Sequence, residues 1–184
     1  GKVVLDLGCG SGRFIPGLAA ASKKYFALDI SGELLALARK KAKCLGNVEL
    51  ILSSAESIKL PSESVDIVIS TWVISTLRDV EKKSRAISEA ERVLKKGGEI
   101  WLVENDSRGE FEDIRMPSTT KPNIEWLEKE QGFSIARKMD IHFRFASLKE
   151  AREIFQAIWG KKIASRVKSR TIRHKVIIFR KKKV

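Results

Sequence analysis

The sequence predicts an α/β fold built on a mostly parallel sheet, with helices on both faces. Three observations carry that expectation. Apolar strand-like runs alternate with helix-period segments from the first residues through Val103. The first run passes directly into glycines at alternate positions, Gly8, Gly10 and Gly12. The first two runs also carry acids near their carboxyl ends, Asp6 and Asp29. Such alternation is what parallel strands joined by right-handed helical crossovers produce. With 184 residues, of which 43% are hydrophobic, the chain suits a single domain with one continuous core.

Residues 3–12 read V-V-L-D-L-G-C-G-S-G, a buried strand feeding a glycine turn and then a helix. Glycines admit a ligand where side chains would exclude it, and the helix start offers unpaired N–H donors. The dinucleotide fingerprint G-x-G-x-x-G is excluded, because its third glycine would fall on Arg13. A P-loop is excluded too, since no Gly-Lys-Ser/Thr closes the turn. The second strand is read at residues 25–30, with Asp29 at its end. Ser31 then caps a helix whose apolar face is Leu34, Leu35, Ala38 and Leu45, with Gly46 as the stop. Residues 48–52 form the third strand and 64–70 the fourth. Asp79 caps a helix with the stripe Ala86, Ile87, Ala90, Val93 and Leu94, which Gly97 ends in the left-handed conformation. Residues 100–103 are the fifth strand. Residues 105–123 read as a long irregular segment with Gly109, Pro117 and Pro122. A short helix at 124–131 stops at Gly132, and a strand follows at 133–145. Ser147 and Glu150 form a capping box for a helix carrying Ala151, Ile154, Phe155 and Ile158, broken at Gly160. A last strand covers 173–180.

An acid followed by G-x-G-x-G, as at Asp6, Gly8, Gly10 and Gly12, resembles the first motif of the class I S-adenosylmethionine-dependent methyltransferases. The remaining elements follow that family's order through about residue 104, and the style is closest to the small-molecule enzymes of ubiquinone/menaquinone biosynthesis. The resemblance implies a Rossmann-like sheet of seven strands, the last inserted antiparallel. It implies S-adenosylmethionine as cofactor and S-adenosylhomocysteine as product. Asp6, Gly8, Gly10 and Gly12 would then shape the methionine pocket, and Asp29, with Ile30 beside it, would grip the ribose. Ser54, Ala55 and Glu56 would flank adenine; the family often carries Asp where Ser54 stands. Ser70 would complete the cofactor side. The family usually carries helices before the first strand that help cover the cofactor; this sequence starts almost on that strand and is read either as a fragment or as having a pocket open on one side. Residues 1–104 form the cofactor-binding half and 105–184 the substrate-side half of one domain.

In an open parallel sheet the substrate lies outside the carboxyl ends of the strands. Thr71 and Trp72, past the fourth strand, and Glu104 and Asn105, past the fifth, are therefore the substrate-side candidates. No residue is assigned as catalytic, because displacement at a sulfonium methyl chiefly requires a positioned nucleophile. The Asn/Asp-Pro-Pro-Tyr/Phe signature of amino-methylating nucleic-acid enzymes is replaced by Ser70-Thr71-Trp72-Val73. His142 and His174 sit among apolar neighbours and read as structural. Two cysteines make neither a disulfide framework nor a zinc site, no metal is expected, and Cys9 reads as loop packing.

The net charge of +13 is unevenly spread. Through Ser134 there are 20 basic and 20 acidic residues; beyond it, 16 basic face 3 acidic. Residues 135–184 could attract a polyanion, or present a solvated lysine-rich surface with a frayed end at Lys181, Lys182 and Lys183. A small-molecule acceptor is the first expectation. The alternatives are an RNA methyltransferase docking through this basic region and a non-catalytic cofactor-binding module. No apolar run reaches membrane-spanning length and no leader is visible, so a cytoplasmic protein is expected.

Overall fold

The computed structural model describes residues 1–116 and 120–184; Pro117 lies outside the described residues. The chain order is β1 (Lys2–Leu7), α1 (Ile15–Ala20), β2 (Ser22–Asp29), α2 (Gly32–Ala42), β3 (Val48–Leu52), β4 (Val65–Thr71), a 3-10 turn (Ile74–Thr76), α3 (Val80–Val93) and β5 (Leu94–Asn105). Then follow α4 (Glu110–Arg115), α5 (Thr120–Lys129), β6 (Ser134–Arg144), α6 (Leu148–Trp159), α7 (Lys161–Ala164) and β7 (Thr171–Lys182). The strands form one sheet in the order β3-β2-β1-β4-β5-β7-β6, six parallel and β7 antiparallel. This is the mixed seven-stranded α/β sheet that the family resemblance implied. Strand order reverses beside β1, which pairs in parallel with both β2 and β4. A reversal of this kind opens a crevice at the carboxyl ends of the strands.

Two compact units are distinguished: Gly1–Val103 with Phe179–Val184, and Glu104–Ile178. In the first, consecutive residues Val4 and Leu5 are both buried. Neighbouring strand residues point to opposite faces, so both faces of β1 are covered, as a parallel sheet demands. Val4, Tyr25 and Ala27 pack with Ile15 and Ala19 of α1 and Leu35 and Ala38 of α2. Ser31 caps α2 by accepting from the Leu34 N–H at 3.2 Å, and Asp79 caps α3 by accepting from the Glu81 N–H at 2.9 Å. Within α3 the expected stripe Ala86, Ile87, Ala90 and Val93 is buried.

Several local expectations are corrected. The second helix stops at Ala42, before Gly46, because Leu45 N donates to Ala42 O and the turn carries Leu45 into the apolar cluster. Gly97 is left-handed (φ 74°) but does not end α3, since Leu94 is already extended. Gly97 instead serves an irregular start of β5, where its N–H donates to Lys183 O and Gly98 O accepts from Lys183 N–H. The carboxyl terminus is not frayed. Lys183 Nζ donates to Glu91 O and Leu94 O at 2.8 and 2.6 Å, Lys181 pairs with Glu91, and Arg180 pairs with Glu99 at 2.5 Å.

In the second unit, residues 105–123 are not one loop. Residues 110–115 form α4, whose first turn carries Glu110, Glu112 and Asp113, matching the positive end of the helix dipole. The next helix starts earlier than expected, at Thr120, and ends earlier, at Lys129. It admits Pro122 because a first turn leaves that N–H without an intrahelical partner anyway. Phe111, Ala151, Phe155 and Ile172 form the core of this unit, with Phe143 and Trp159 against it. Ser147 caps α6 as expected, accepting from Glu150 N–H at 3.0 Å, while the Glu150 carboxylate accepts from Ala146 N–H.

Candidate functional site

The glycine loop is latched onto the end of β2 by its own backbone. The N–H groups of Gly8 and Cys9 both donate to Leu28 O, at 2.8 and 2.9 Å. Gly10 N–H donates to Asp29 Oδ2 at 2.8 Å, and Ser31 N–H donates to Asp29 Oδ1 at 2.9 Å. One carboxylate thus fixes both the loop after β1 and the turn after β2. Each carboxylate oxygen still has a lone pair in reserve, since an ionised carboxylate offers about four acceptor sites.

Two glycines show why side chains are excluded here. Gly8 has φ 78°, and a Cβ on it would stand 2.1 Å from Val73 Cγ2. It is the residue that lets the segment after β4 close on the loop. Gly10 has φ 54°, and a Cβ there would meet nothing within 4 Å. That open space over backbone is the cradle a ligand needs. Gly12 serves packing: a Cβ there would stand 3.1 Å from the Ala38 Cα of α2.

A crevice of about 660 Å³ opens at the carboxyl ends of β1, β2 and β4. Asp29 and Ile30 line it beside Gly8, with Ile30 74% exposed. Ser53, Ala55 and Glu56 line it from the segment after β3. Ser54 stands between them and gives its carbonyl to a turn with Ser57 N–H. Thr71 and Trp72 line this crevice and also a smaller cavity of about 170 Å³ bounded by Asp6, Gly8 and Gly10. Trp72 adopts φ 57°, a left-handed conformation costly for a bulky residue, and its N–H donates to Val103 O at 2.9 Å. Such strain concentrates where a site dictates the backbone. Ser70 is fully buried at the end of β4.

Asp6 is only 2% exposed, and its Oδ2 accepts from the Tyr25 hydroxyl at 2.8 Å. Burial pushes its carboxyl up to about 6; the Tyr25 hydrogen bond opposes this and the Asp29 charge adds to it. Burial, reinforced by the charges of Asp6 and Asp29, pushes the Cys9 thiol up to about 12. Cys9 is therefore packing and not a nucleophile at neutral pH.

The other substrate-side candidates belong to the second unit. Glu104 is 1% exposed, so it is not a strand-end acid in water. Asn105 Oδ1 accepts from His174 Nε2 at 2.9 Å. His174 is buried between the rings of Phe111 and Phe143, and burial pushes it down to about 4, so the ring is neutral and structural as expected. His142 departs from expectation: it is exposed on β6, because the alternation puts Ile141 and Phe143 on the covered face. Among the described residues no group of three or more His, Cys, Asp or Glu side chains could hold a metal ion. None of the described helices is long and apolar enough to cross a membrane.

Sequence reasoning missed Tyr25, Ser53, Val73 and Leu77 as site residues. For Tyr25 a signal existed: it is the chain's single tyrosine, inside an otherwise apolar strand, and a buried phenol seeks a partner. The segment after β4 carries no periodicity that could place Val73 or Leu77.

Comparison with known proteins agrees with this geometry. A methyltransferase-domain family matches residues 5–102. An uncharacterized methyltransferase-like protein of Schizosaccharomyces pombe is 33% identical over 129 residues, covering 70% of this chain and 43% of that protein. Phosphatidylethanolamine N-methyltransferase of Cereibacter sphaeroides is 33% identical over 111 residues, covering 59% and 53%. The chain thus spans about half the length of the curated relatives it matches. The crystal structure of the YcgJ protein from Bacillus subtilis shares the fold with a TM-score of 0.76 at 20% identity, covering 99% of this chain and 92% of that one. The chain belongs to the methyltransferase-domain family, the class I S-adenosylmethionine-dependent methyltransferases.

Proposed function

We propose that the protein transfers a methyl group from S-adenosylmethionine to a small-molecule acceptor. The observation that carries this reading is the pairing of a glycine cradle with Asp29 at a strand-order reversal. Gly10 leaves open space over its backbone, and Asp29 holds that loop while lining the crevice. The residues present fit the cofactor. Asp29 would accept from the ribose hydroxyls with its remaining lone pairs. Ile30, Leu34 and Leu77 offer an apolar wall, and Ala55 and Glu56 flank the same space. Asp6, Gly8 and Gly10 bound the smaller cavity, where Asp6 would face the cationic methionine end. When bound, the cofactor supplies an electrophilic methyl and a neutral thioether leaving group.

This chain's own residues then have a positional task. Thr71 and Trp72 line both cavities and are placed to orient an acceptor beside the cofactor, and a near-attack geometry is the main source of acceleration for such a displacement. Glu104 and Asn105 are proposed only as support for the substrate side, since Asn105 is engaged by His174. The free thiols of Cys9 and Cys44 support a reducing compartment, the cytoplasm.

Charge favours one second reading. Between residues 135 and 178 there are 12 basic and 3 acidic residues, a surplus that suits an RNA acceptor. Lys181 and Lys183 do not add to it, since both are committed within the fold, whereas Lys182 is exposed. Transfer of labelled methyl from S-adenosylmethionine into size-fractionated cell extract separates the two. Label in the small-molecule fraction supports the proposal, label in RNA supports the second reading, and no label in any fraction contradicts both.

A further inference from the structure

We propose that Tyr25 is a positioning residue whose buried hydroxyl holds the Asp6 carboxylate anionic toward the cationic end of the cofactor, and so sets how cofactor binding depends on acidity. The inference rests on the cofactor reading above and assigns a role to a residue that reading does not use.

The geometry is specific. Tyr25 is fully buried in β2, and its hydroxyl lies 2.8 Å from Asp6 Oδ2 on the neighbouring strand. The two residues share the face that Val4 and Ala27 also present to α1 and α2, because side chains two apart on a strand point the same way. Asp29 is held by two backbone N–H groups. Asp6, by contrast, has Tyr25 as its one side-chain donor among the described residues. It nevertheless bounds the cavity beside Gly8 and Gly10. An apolar residue would fill the Tyr25 position in a core strand equally well. What tyrosine adds there is one donor aimed at one carboxylate.

The charged and titratable groups around Asp6 are few. Asp29, at the end of β2, disfavours its ionisation, and Cys9, in the loop after β1, is neutral. Arg13 also lines the cavity and is exposed. The neighbouring strand β4 contributes Thr71, and Trp72 follows it; neither titrates. Burial and the Asp6 charge push the Tyr25 phenol upward, so it remains a protonated donor at every working pH. Tyr25 is thus the main group lowering the Asp6 carboxyl against burial, and the balance falls at about 6. Below that pH a protonated Asp6 would no longer attract a cation. Removing the phenol hydroxyl lets burial and Asp29 push the carboxyl higher still.

The test reads binding and not turnover. S-adenosylmethionine and S-adenosylhomocysteine are titrated by calorimetry between pH 5 and 8.5 into the wild-type chain, Tyr25→Phe and Asp6→Asn. Wild-type affinity should weaken as pH falls through about 6. In Tyr25→Phe the midpoint should rise by about one pH unit, which makes binding about fivefold weaker at pH 6 and nearly unchanged at pH 8. Asp6→Asn should show no such midpoint. A merely structural tyrosine would weaken binding equally at every pH, and that result, or an acid limb that persists in Asp6→Asn, overturns the proposal.

Because the chain has one tyrosine, 3-fluorotyrosine labels Tyr25 alone and gives a readout that needs no substitution. Its fluorine resonance should titrate with a midpoint near 6; a resonance that is flat from pH 5 to 7.5 overturns the proposal. No binding of either ligand at pH 8 would overturn the cofactor reading itself. Binding with an unmoved acid limb would overturn only the role of Tyr25.

Discussion

Replacing Gly8 and Gly10 by alanine, one at a time, separates the glycine loop's part in the fold from its part in binding. Both residues have positive φ, 78° and 54°, so each alanine incurs about 1–2 kcal/mol for entering the left-handed region. At Gly8 the new methyl would also stand 2.1 Å from Val73 Cγ2. Valine is stiff about its first torsion, so the overlap must be relieved by backbone movement, at a further cost of about 1–3 kcal/mol. At Gly10 no atom lies within 4 Å of the new methyl, so the backbone cost stands alone. For a chain of this size each kcal/mol shifts the melting temperature by about 2–4 °C. Gly8→Ala should therefore melt about 4–20 °C lower, and Gly10→Ala only about 2–8 °C lower. Thermal melts followed by circular dichroism give the first reading and calorimetric titration with S-adenosylhomocysteine the second. Gly10→Ala should remain folded yet bind at least about tenfold more weakly, because its methyl occupies space meant for the ligand. Wild-type affinity in Gly10→Ala, or equal destabilisation by the two alanines, would refute the reasoning.

Three further outcomes are expected. Deleting residues 181–184 removes two carbonyl contacts of Lys183 and the ion pair of Lys181 with Glu91, and should lower stability by about 2–4 kcal/mol; an unchanged urea midpoint would show the terminus to be frayed after all. His174 is held neutral, with its value pushed down to about 4, so stability is fully present above the unfolded value near 6.5 and is lost as pH falls toward 4. The His174 part of the loss should reach up to about 3 kcal/mol. Asp6, pushed up to about 6, works in the opposite direction, so the His174 part is read as the difference between wild type and His174→Leu in denaturant unfolding at pH 7 and pH 4.5. Cys44 is exposed, whereas Cys9 is buried with its thiol pushed up to about 12; a thiol reagent at pH 8 should label one cysteine per native chain and two after denaturation.

The parts of the fold that were legible in the sequence are those fixed by local pattern. The strand at 48–52 was read at its true bounds because its apolar run is bracketed by turns. Ser31, Asp79 and Ser147 were recognisable as caps because a short polar side chain before an apolar stripe has one local use. What escaped depends on contacts distant in sequence. Gly97 reads as a helix stop until Lys183, from the other end of the chain, pairs with it. Residues 110–115 read as loop because a helix that short draws most of its stability from packing, here Phe111 against Phe143, Phe155 and Trp159. At the candidate site, Asp6, Gly8, Gly10 and Asp29 lie on two adjacent strand ends and could be found by motif. Tyr25 matches no motif; a lone phenol in an apolar strand signals a partner, but which partner cannot be read locally, because the carboxylate lies one strand away.

Calorimetric titration of S-adenosylmethionine into the wild-type chain and into Asp29→Ala tests the central claim most directly. The structure predicts saturable binding of one cofactor per chain. Asp29→Ala removes the proposed ribose acceptor together with the latches on Gly10 and Ser31, and should weaken that binding by at least about 2–4 kcal/mol. No heat of binding at millimolar cofactor, or equal affinity in the two proteins, would contradict it.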